Sequence, residues 1–336
     1  VSLLKKCLVL GVVVVVFAAV VAASGLHWAM SPLTLAQPAL DVTIPPRSTV
    51  RAVTAQLNRG GVQIEPRRFI VMTRLLGLQS ELKSGNYEFK RGITPYDLLQ
   101  KMVRGDVNES SATIIEGWPF KRMRAELDAN PAIKHDGANL SDADLLAAIG
   151  VTEAGQTHAE GLFFPDTYLF DKGTSDLEIY RRAYQLMKLR LTEAWSARAP
   201  GLPYKTPYEA LIMASLIEKE TGKASDRPLV AAVFDNRLRV GMPLQTDPTV
   251  IYGMGDAYEG RLRKHDLSTD TPYNTYTRSG LPPTPIALPG AASLQAAMNP
   301  APSSALYFVS RGDGSSQFSD TLDDHNKAVD KYIRGQ

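Results

Sequence analysis

The stretch TPYEALIMASLIEKETG, residues 206–222, carries the sharpest structural reading in the chain. Thr206 and Pro207 form a helix start, and Glu209 at the third helical position completes a capping box. Gly222 suits the residue just past a helix end. With side chains spaced about 100° apart, Ala210–Ile217 are apolar or small in every direction, so the helix is buried all round rather than amphipathic. Glu218 then projects between Leu211 and Ala214, with Ser215 close by. A carboxylate there is costly unless it is paired, hydrogen-bonded or protonated. Burial also moves a carboxyl group toward the range in which a general acid works. The residues alone leave two readings open: a structural tie to a cation or to backbone amides, or a catalyst. Glu220 projects about 160° away. It cannot share a pocket with Glu218, and reads as an ion-pair partner or a supporting group. Lys219 reads as solvated.

Upstream, the same start signal recurs at Thr94-Pro95-Tyr96-Asp97, followed by a buried stripe of Leu98, Leu99, Met102 and Val103. Ser48 or Thr49 can cap a helix carrying Val50, Val53 and Leu57, and Pro66 opens another. Leu82–Phe89 alternates like a strand broken by Gly85. Two small helices with short strands give residues 43–112 the look of a LysM-like carbohydrate-binding subdomain. A plain structural subdomain fits equally well. Residues 31–42 read as an extended linker, and the polar run at 106–112 as a break. A strand then runs into a turn at Thr113–Pro119. Residues 113–336 form the larger domain, mainly helical over 120–200 except for a loop at Glu160–Phe170. The fold class expected is α+β: an N-terminal transmembrane helix, a small α/β subdomain and a larger mixed domain.

Residues 1–30 supply the anchor. No Asp, Glu, Lys or Arg occurs from Cys7 to Leu40, and Leu8–Met30 is long enough for the roughly 20 apolar residues a bilayer core requires. Trp28 sits near one interface, and Lys5 and Lys6 place the short side in the cytoplasm. Ala22-Ala23-Ser24 offers the rival, a cleaved signal peptide. Either way the body is extracytoplasmic.

Composition narrows the function. A charged fraction of 21% and a formal charge of +2, without any long basic run, give no electrostatic case for nucleic acid. A lone Cys7 leaves no intramolecular disulfide and no multi-cysteine metal site. The five histidines are scattered without HExxH, and GxSxG is missing. Neither a metal nor a cofactor is expected.

Polar residues elsewhere are candidates for holding a ligand. Gln245, Thr246 and Asp247 precede Pro248 in a stiff polar loop, and Tyr273, Asn274 and Tyr276 offer amides and aromatic faces for sugar rings. Glu160 and Asp166 flank the Phe163-Phe164-Pro165 turn, and Glu160 is the best second carboxylate. A local turn or capping role competes for each. Asp235, Asn236 and Arg237 read as buttresses, and the prolines of 282–289 as a stiff wall.

ASLIEKET (214–221) resembles the endolytic murein transglycosylases of the YceG-like group. EGLFFPDTY (160–168), VAAVFDNRL (230–238), MPLQTDPTVIYG (242–253), TPYNTY (271–276), GLPPTPIALPG (280–290) and LYFV (306–309) follow in the family's order. The resemblance covers most of residues 113–330, and it implies that Glu218 is the catalytic residue. One departure is visible. Where the family often has Gly-x-His-x-Phe, this chain reads Gly314-Ser315-Ser316-Gln317-Phe318, so no histidine there is required. His325 is a weak candidate and reads as structural.

The resemblance further implies cleavage of the bond between N-acetylmuramic acid and N-acetylglucosamine in nascent peptidoglycan. The products carry 1,6-anhydro ends, and the cut limits strand length. Glycan strands, the bilayer and membrane-bound peptidoglycan synthases are the expected partners. The bacterial cytoplasmic membrane is the expected location, with the catalytic domain periplasmic. The competing readings are a non-catalytic peptidoglycan-binding scaffold, which would keep Glu218 ion-paired, and a hydrolytic muramidase, which would need a second carboxylate.

Overall fold

A computed structural model describes residues 2–152 and 157–335, with side chains from Leu8 onward. The side chains of Lys5, Lys6 and Cys7, on which the orientation expectation draws, lie outside the described residues. The chain divides into two compact units: residues up to Ser110 together with Leu169–Gly173, and Ser111–Tyr168 together with Thr174 onward.

The first unit begins with helix α1 (Ser2–Met30), whose segment Leu8–Met30 is long and apolar enough to cross a membrane. Its last turn is tied to the rest of this unit: Trp28 packs against the core and Ala29 is buried. Strands β1 (Thr34–Leu35) and β2 (Ala39–Ile44) come next, then α2 (Val50–Arg59), β3 (Val62–Gln63) and α3 (Pro66–Leu75). Strand β4 (Gly85–Lys90) and α4 (Pro95–Arg104) complete it, and β5 (Glu109–Thr113) leads out. Strands β2 and β4 pair antiparallel from Ala39↔Lys90 to Ile44↔Gly85. They are joined through α2, β3 and α3, around a core of Leu57, Phe69, Tyr87 and Leu98.

Two expectations change here. The stretch read as a linker contains β1 and the start of β2, because Leu40, Val42 and Ile44 alternate inward once paired. Gly85 opens β4 instead of breaking it. At φ +139, with Val107 Cγ1 2.4 Å from where its Cβ would lie, the site admits only glycine. Thr49, not Ser48, caps α2 by accepting from the Ala52 amide.

The second unit runs through α5 (Phe120–Asp128), β6 (Ile133–Lys134), α6 (Asp142–Ala148), the start of β7 (Thr167–Asp171, whose residues from Leu169 belong to the first unit), β8 (Thr174–Ser175) and α7 (Asp176–Ser196). Helices α8 (Pro207–Glu220), α9 (Arg227–Arg239), α10 (Asp247–Met254) and α11 (Lys264–Ser268) follow. Helix α12 (Ala291–Met298), the antiparallel hairpin β9 (Tyr307–Ser310) and β10 (Ser316–Ser319), and α13 (Leu322–Val329) end it. The polar break at 106–112 is partly β5, which pairs with β7, so the expected loop 160–170 ends in a strand.

Helix α8 is the centre of this unit and packs against α7, α9, α10 and α12. Every residue from Ala210 to Ile217 is buried, as its all-round apolar pattern requires. Thr206 caps it by accepting from the Glu209 amide, while the Glu209 carboxylate reaches one residue further back, to the Lys205 amide. The other end differs from expectation. The cap is Thr221 in extended conformation, and Gly222 is not left-handed.

Candidate active site

Two polar networks flank the C-terminal turn of α8, and a third lies apart from them. The first holds Glu218. Its Oε2 accepts from the Gly290 amide at 3.0 Å, just before α12, and its Oε1 accepts from Arg227 Nη2 at 3.4 Å, at the start of α9. Only 6% of its side chain is exposed. The cation that a structural tie calls for is therefore present, but through a single long contact. Arg227 Nε is buried with no partner among the described residues. An unspent donor beside an acidic group is what a site for a polar ligand leaves open.

The wall facing Glu218 is the proline segment. Ile286 donates its amide to Ser215 Oγ at 3.0 Å, while Ser215 donates to the Ile212 carbonyl. Leu288 exchanges backbone hydrogen bonds with Gly117 and Trp118. This strap brings the turn Glu116–Pro119 to α8, where Lys219 Nζ reaches the Gly117 carbonyl at 3.2 Å. Glu116 arrives with it. Its carboxyl lies against Gly290 and is held above the ordinary carboxylate range, first by burial, then by the charge of Glu218. Sequence reasoning missed Glu116. Its only local signal was an acid directly before the Gly117-Trp118-Pro119 turn.

The second network holds Glu220, on the other side of the helix. Its Oε2 accepts from Thr246 Oγ1 at 2.6 Å. Burial pushes its carboxyl up, with Asp247 adding to the rise and Arg237 opposing it. Tyr276 Oη donates to Asp247 Oδ1 at 2.6 Å, so Thr246, Asp247 and Tyr276 do come together, at Glu220. Arg237 is buried among carbonyls, donating to Leu244 and Leu306 at 2.7 Å each. No carboxylate pairs with it among the described residues, so its support of Glu220 is through charge. Gln245 is exposed and held at φ +50, a left-handed backbone.

The third network holds Glu160, the best second carboxylate of the sequence, and its partners among the described residues do not include Glu218. Both Glu160 oxygens accept from the Phe120 amide, at 3.0 and 3.1 Å, and Tyr252 Oη donates to Oε2 at 3.2 Å. Burial pushes the carboxyl up to about 7. It lines a separate cavity of about 240 Å³ with Arg124, Asp142 and His158. Tyr273 meets Tyr252 edge-on at 4.8 Å, and its hydroxyl bonds Thr284. Its amphipathic ring therefore braces this third network.

Two candidates are spent internally. Asn274 has no exposed surface; its amide donates to the carbonyls of Asp266, Leu267 and Thr269 and accepts from Tyr276 N, leaving no group for a ligand. Asn236 donates to the Ser303 and Ala305 carbonyls and accepts from Arg239, tying α9 to the segment before β9. His325 stacks on Tyr307 at 5.2 Å. Asp128, His135 and Asp176 also converge, but Asp176 is buried and committed to the Gly137 and Leu177 amides.

An apolar helix that presents one carboxylate to a strapped loop, with a second carboxyl beside it, is an arrangement capable of acid–base chemistry. The model described as the YceG-like family matches residues 42–331, and the chain belongs to that family. It is 32% identical over 308 residues to the endolytic murein transglycosylase of Bacillus subtilis (strain 168), covering 88% of this chain and 85% of that protein. The endolytic murein transglycosylase of Streptococcus pneumoniae (strain D39) is 27% identical over 328 residues, covering 88% of this chain and 59% of its own length. A 2.6 Å crystal structure of a YceG-like protein from Listeria monocytogenes superposes with a TM-score of 0.55 at 29% identity, covering 86% of this chain and 98% of that one.

Proposed function

We propose that this protein is an endolytic murein transglycosylase that cleaves the glycan of nascent peptidoglycan with Glu218 as its acid and base. The observation that carries the reading is Glu218 itself. It is a nearly buried carboxylate on an apolar helix, in a chain whose matched relatives are named for that activity.

In the first half of the reaction Glu218 gives its proton to the oxygen between N-acetylmuramic acid and N-acetylglucosamine. The muramyl acetamido group stabilises the developing cation. In the second half the carboxylate takes the proton of the C6 hydroxyl as that oxygen closes onto C1. The proton that leaves is replaced, so one carboxyl group suffices and no water is consumed. Gln245, exposed on a fixed backbone, and the Asp247–Tyr276 pair would offer hydrogen bonds to sugar hydroxyls. The β2–β4 pair, with the two small helices α2 and α3 between its strands, would suit a LysM-like carbohydrate-binding subdomain.

Helix α1 suits single-pass anchoring, with the catalytic unit on the periplasmic side of the cytoplasmic membrane. That geometry would confine cleavage to newly made strands, near the synthases that extend them, and so limit strand length. Glu116 favours one alternative, a hydrolytic muramidase with two carboxyl groups. Digestion of uncrosslinked glycan followed by mass measurement of the new ends separates the two. Anhydro ends, one water lighter, are expected; hydrolytic ends alone would overturn the lytic reading.

A further inference from the structure

Helix α3 and its C-terminal cap carry their surface residues in two rows. Arg67, Val71 and Leu75 recur at every fourth position, and so do Arg68, Met72 and Leu76. Each row begins with a charge and ends apolar, along one side of the helix. Phe69 and Thr73, on the other side, are buried in the unit. The apolar ends of the two rows are not: Val71 is 55% exposed, Leu76 46% and Leu75 82%. A continuous apolar patch of this kind marks a surface that something covers.

The opposite wall says what that is. Both rows line a groove of about 1070 Å³ whose second wall is α1, from Phe17 to Ala29. The Arg68 guanidinium stands 6.0 Å from the Trp28 ring, so α3 starts level with the end of the apolar segment that joins the folded unit. From Trp28 back to Phe17 the helix axis advances about 16 Å, at 1.5 Å per residue. Where α1 crosses a bilayer, that wall lies within a hydrocarbon layer about 30 Å thick. The α3 wall then shares its depth, and water does not fill the space between them. Charge agrees with this placement. The groove is lined by Arg67 and Arg68 and by no acidic residue. Arg68 is paired with Glu65 at 2.9 Å, while Arg67 has no ion pair among the described residues. Helix side chains lean toward the N-terminus, so both arginines extend away from Val71 and Leu75 and toward the level of Trp28. Long basic side chains reach the headgroup layer in this way.

We propose that α3 is a second membrane contact: phospholipid of the bilayer that α1 crosses fills the groove, with acyl chains against Val71, Leu75 and Leu76 and a headgroup phosphate at Arg67. This rests on α1 spanning the membrane and adds a second element at the interface. A lone span leaves the unit attached to it free to tilt. An amphipathic helix set into the headgroup boundary beside the span fixes both tilt and rotation. The first unit is thereby held at one height and one orientation on the bilayer surface. Lipid is the occupant favoured over a helix of another protein, because a cation without a partner stands where a phosphate would lie.

The test places a fluorophore at single sites of the full chain, reconstituted in vesicles of phosphatidylcholine and phosphatidylglycerol with no other protein. Cys7 is the lone cysteine, so a Cys7→Ser background takes one label at a chosen position. Quenching by nitroxides on the lipid acyl chains reports immersion. The label at Leu75→Cys should be quenched several-fold more than one at Ala55→Cys, which is exposed on α2. A label at Val14→Cys, in the middle of the apolar segment, reports the span itself. Quenching at Val14 with none at Leu75 beyond the Ala55 level would overturn the proposal and leave the groove to a protein partner. A label at Val14 that escapes quenching would instead remove the anchoring on which the proposal rests, so the two failures are distinguishable. Arg67→Glu sets a like charge against the phosphates; it should weaken quenching at Leu75 several-fold and leave that at Val14 unchanged. Equal quenching at Leu75 with and without Arg67→Glu would overturn the phosphate contact.

Discussion

Glu218 and Glu220 stand two residues apart on α8 and answer to different partners: Glu218 to Gly290 and Arg227, Glu220 to Thr246. The turn of the helix puts them on different walls, so their substitutions should not look alike. Glu218→Gln keeps shape and loses the transferable proton. Cleavage should fall by at least about 10²-fold, the range general acid–base groups contribute, with unchanged circular dichroism. Glu220→Gln can still accept from Thr246 and should lose far less. Equal inactivity of the two variants would show that α8 presents the wrong carboxyl to the substrate.

Glu160 makes a separate prediction about stability. Its carboxyl stands at about 7 in the folded protein against an ordinary 4.5. The folded state therefore binds its proton more tightly than the unfolded chain does. The resulting stabilisation is fully present below about 4.5 and is lost as the pH rises through about 7. At one pKa unit per 1.36 kcal/mol the effect is on the order of 3 kcal/mol at most. Glu160→Gln should remove this part of the pH dependence while keeping an acceptor for the Phe120 amide. The difference in Tm between variant and wild type, followed from pH 5 to 8, should grow in the variant's favour. A constant difference would mean that Glu160 does not titrate in that window.

Ser215 holds the proline wall to α8. Ser215→Ala leaves the Ile286 amide buried without its acceptor, which should cost about 1–3 kcal/mol in chemical unfolding. The Gly290 amide, four residues further along the same segment, would lose its fixed position against Glu218, so kcat should fall as well. A variant that unfolds earlier but turns over normally would separate the wall from the chemistry.

How far the sequence reached follows from which interactions are local. Helix α8 was legible because its cap and its all-round apolar pattern lie within 17 consecutive residues. Strand β2 was not: its alternation is short, and a preceding proline gave it the look of a linker until β4 paired with it. Asn274 carried the right chemistry for a sugar, but an amide side chain bonds its own loop as readily as a ligand, and here it does the former. Glu160 was chosen as second carboxylate for its place beside an aromatic turn. Glu116 is the carboxyl that lies near Glu218, because the backbone bonds of Leu288 carry its turn to α8 across more than half the chain. Contacts of that separation leave no period or spacing to read.

Gln245 offers the last prediction, one in which stability and function should part. A non-glycine residue at φ +50 bears a steric cost of roughly 1–2 kcal/mol, and nothing local compels it, since its amide simply donates to the Thr275 carbonyl. Gln245→Gly relieves that cost, offset in part by the greater freedom of glycine in the unfolded chain. Tm should hold or rise by the equivalent of up to about 1 kcal/mol. If the exposed side chain meets the glycan, KM should rise several-fold while kcat on saturating substrate changes little. Gln245→Ala supplies the control: it keeps the strain and loses the amide, so KM should rise without any gain in Tm. Unchanged KM in both variants would remove Gln245 from the substrate-binding surface and leave its strained backbone as a feature of the loop alone.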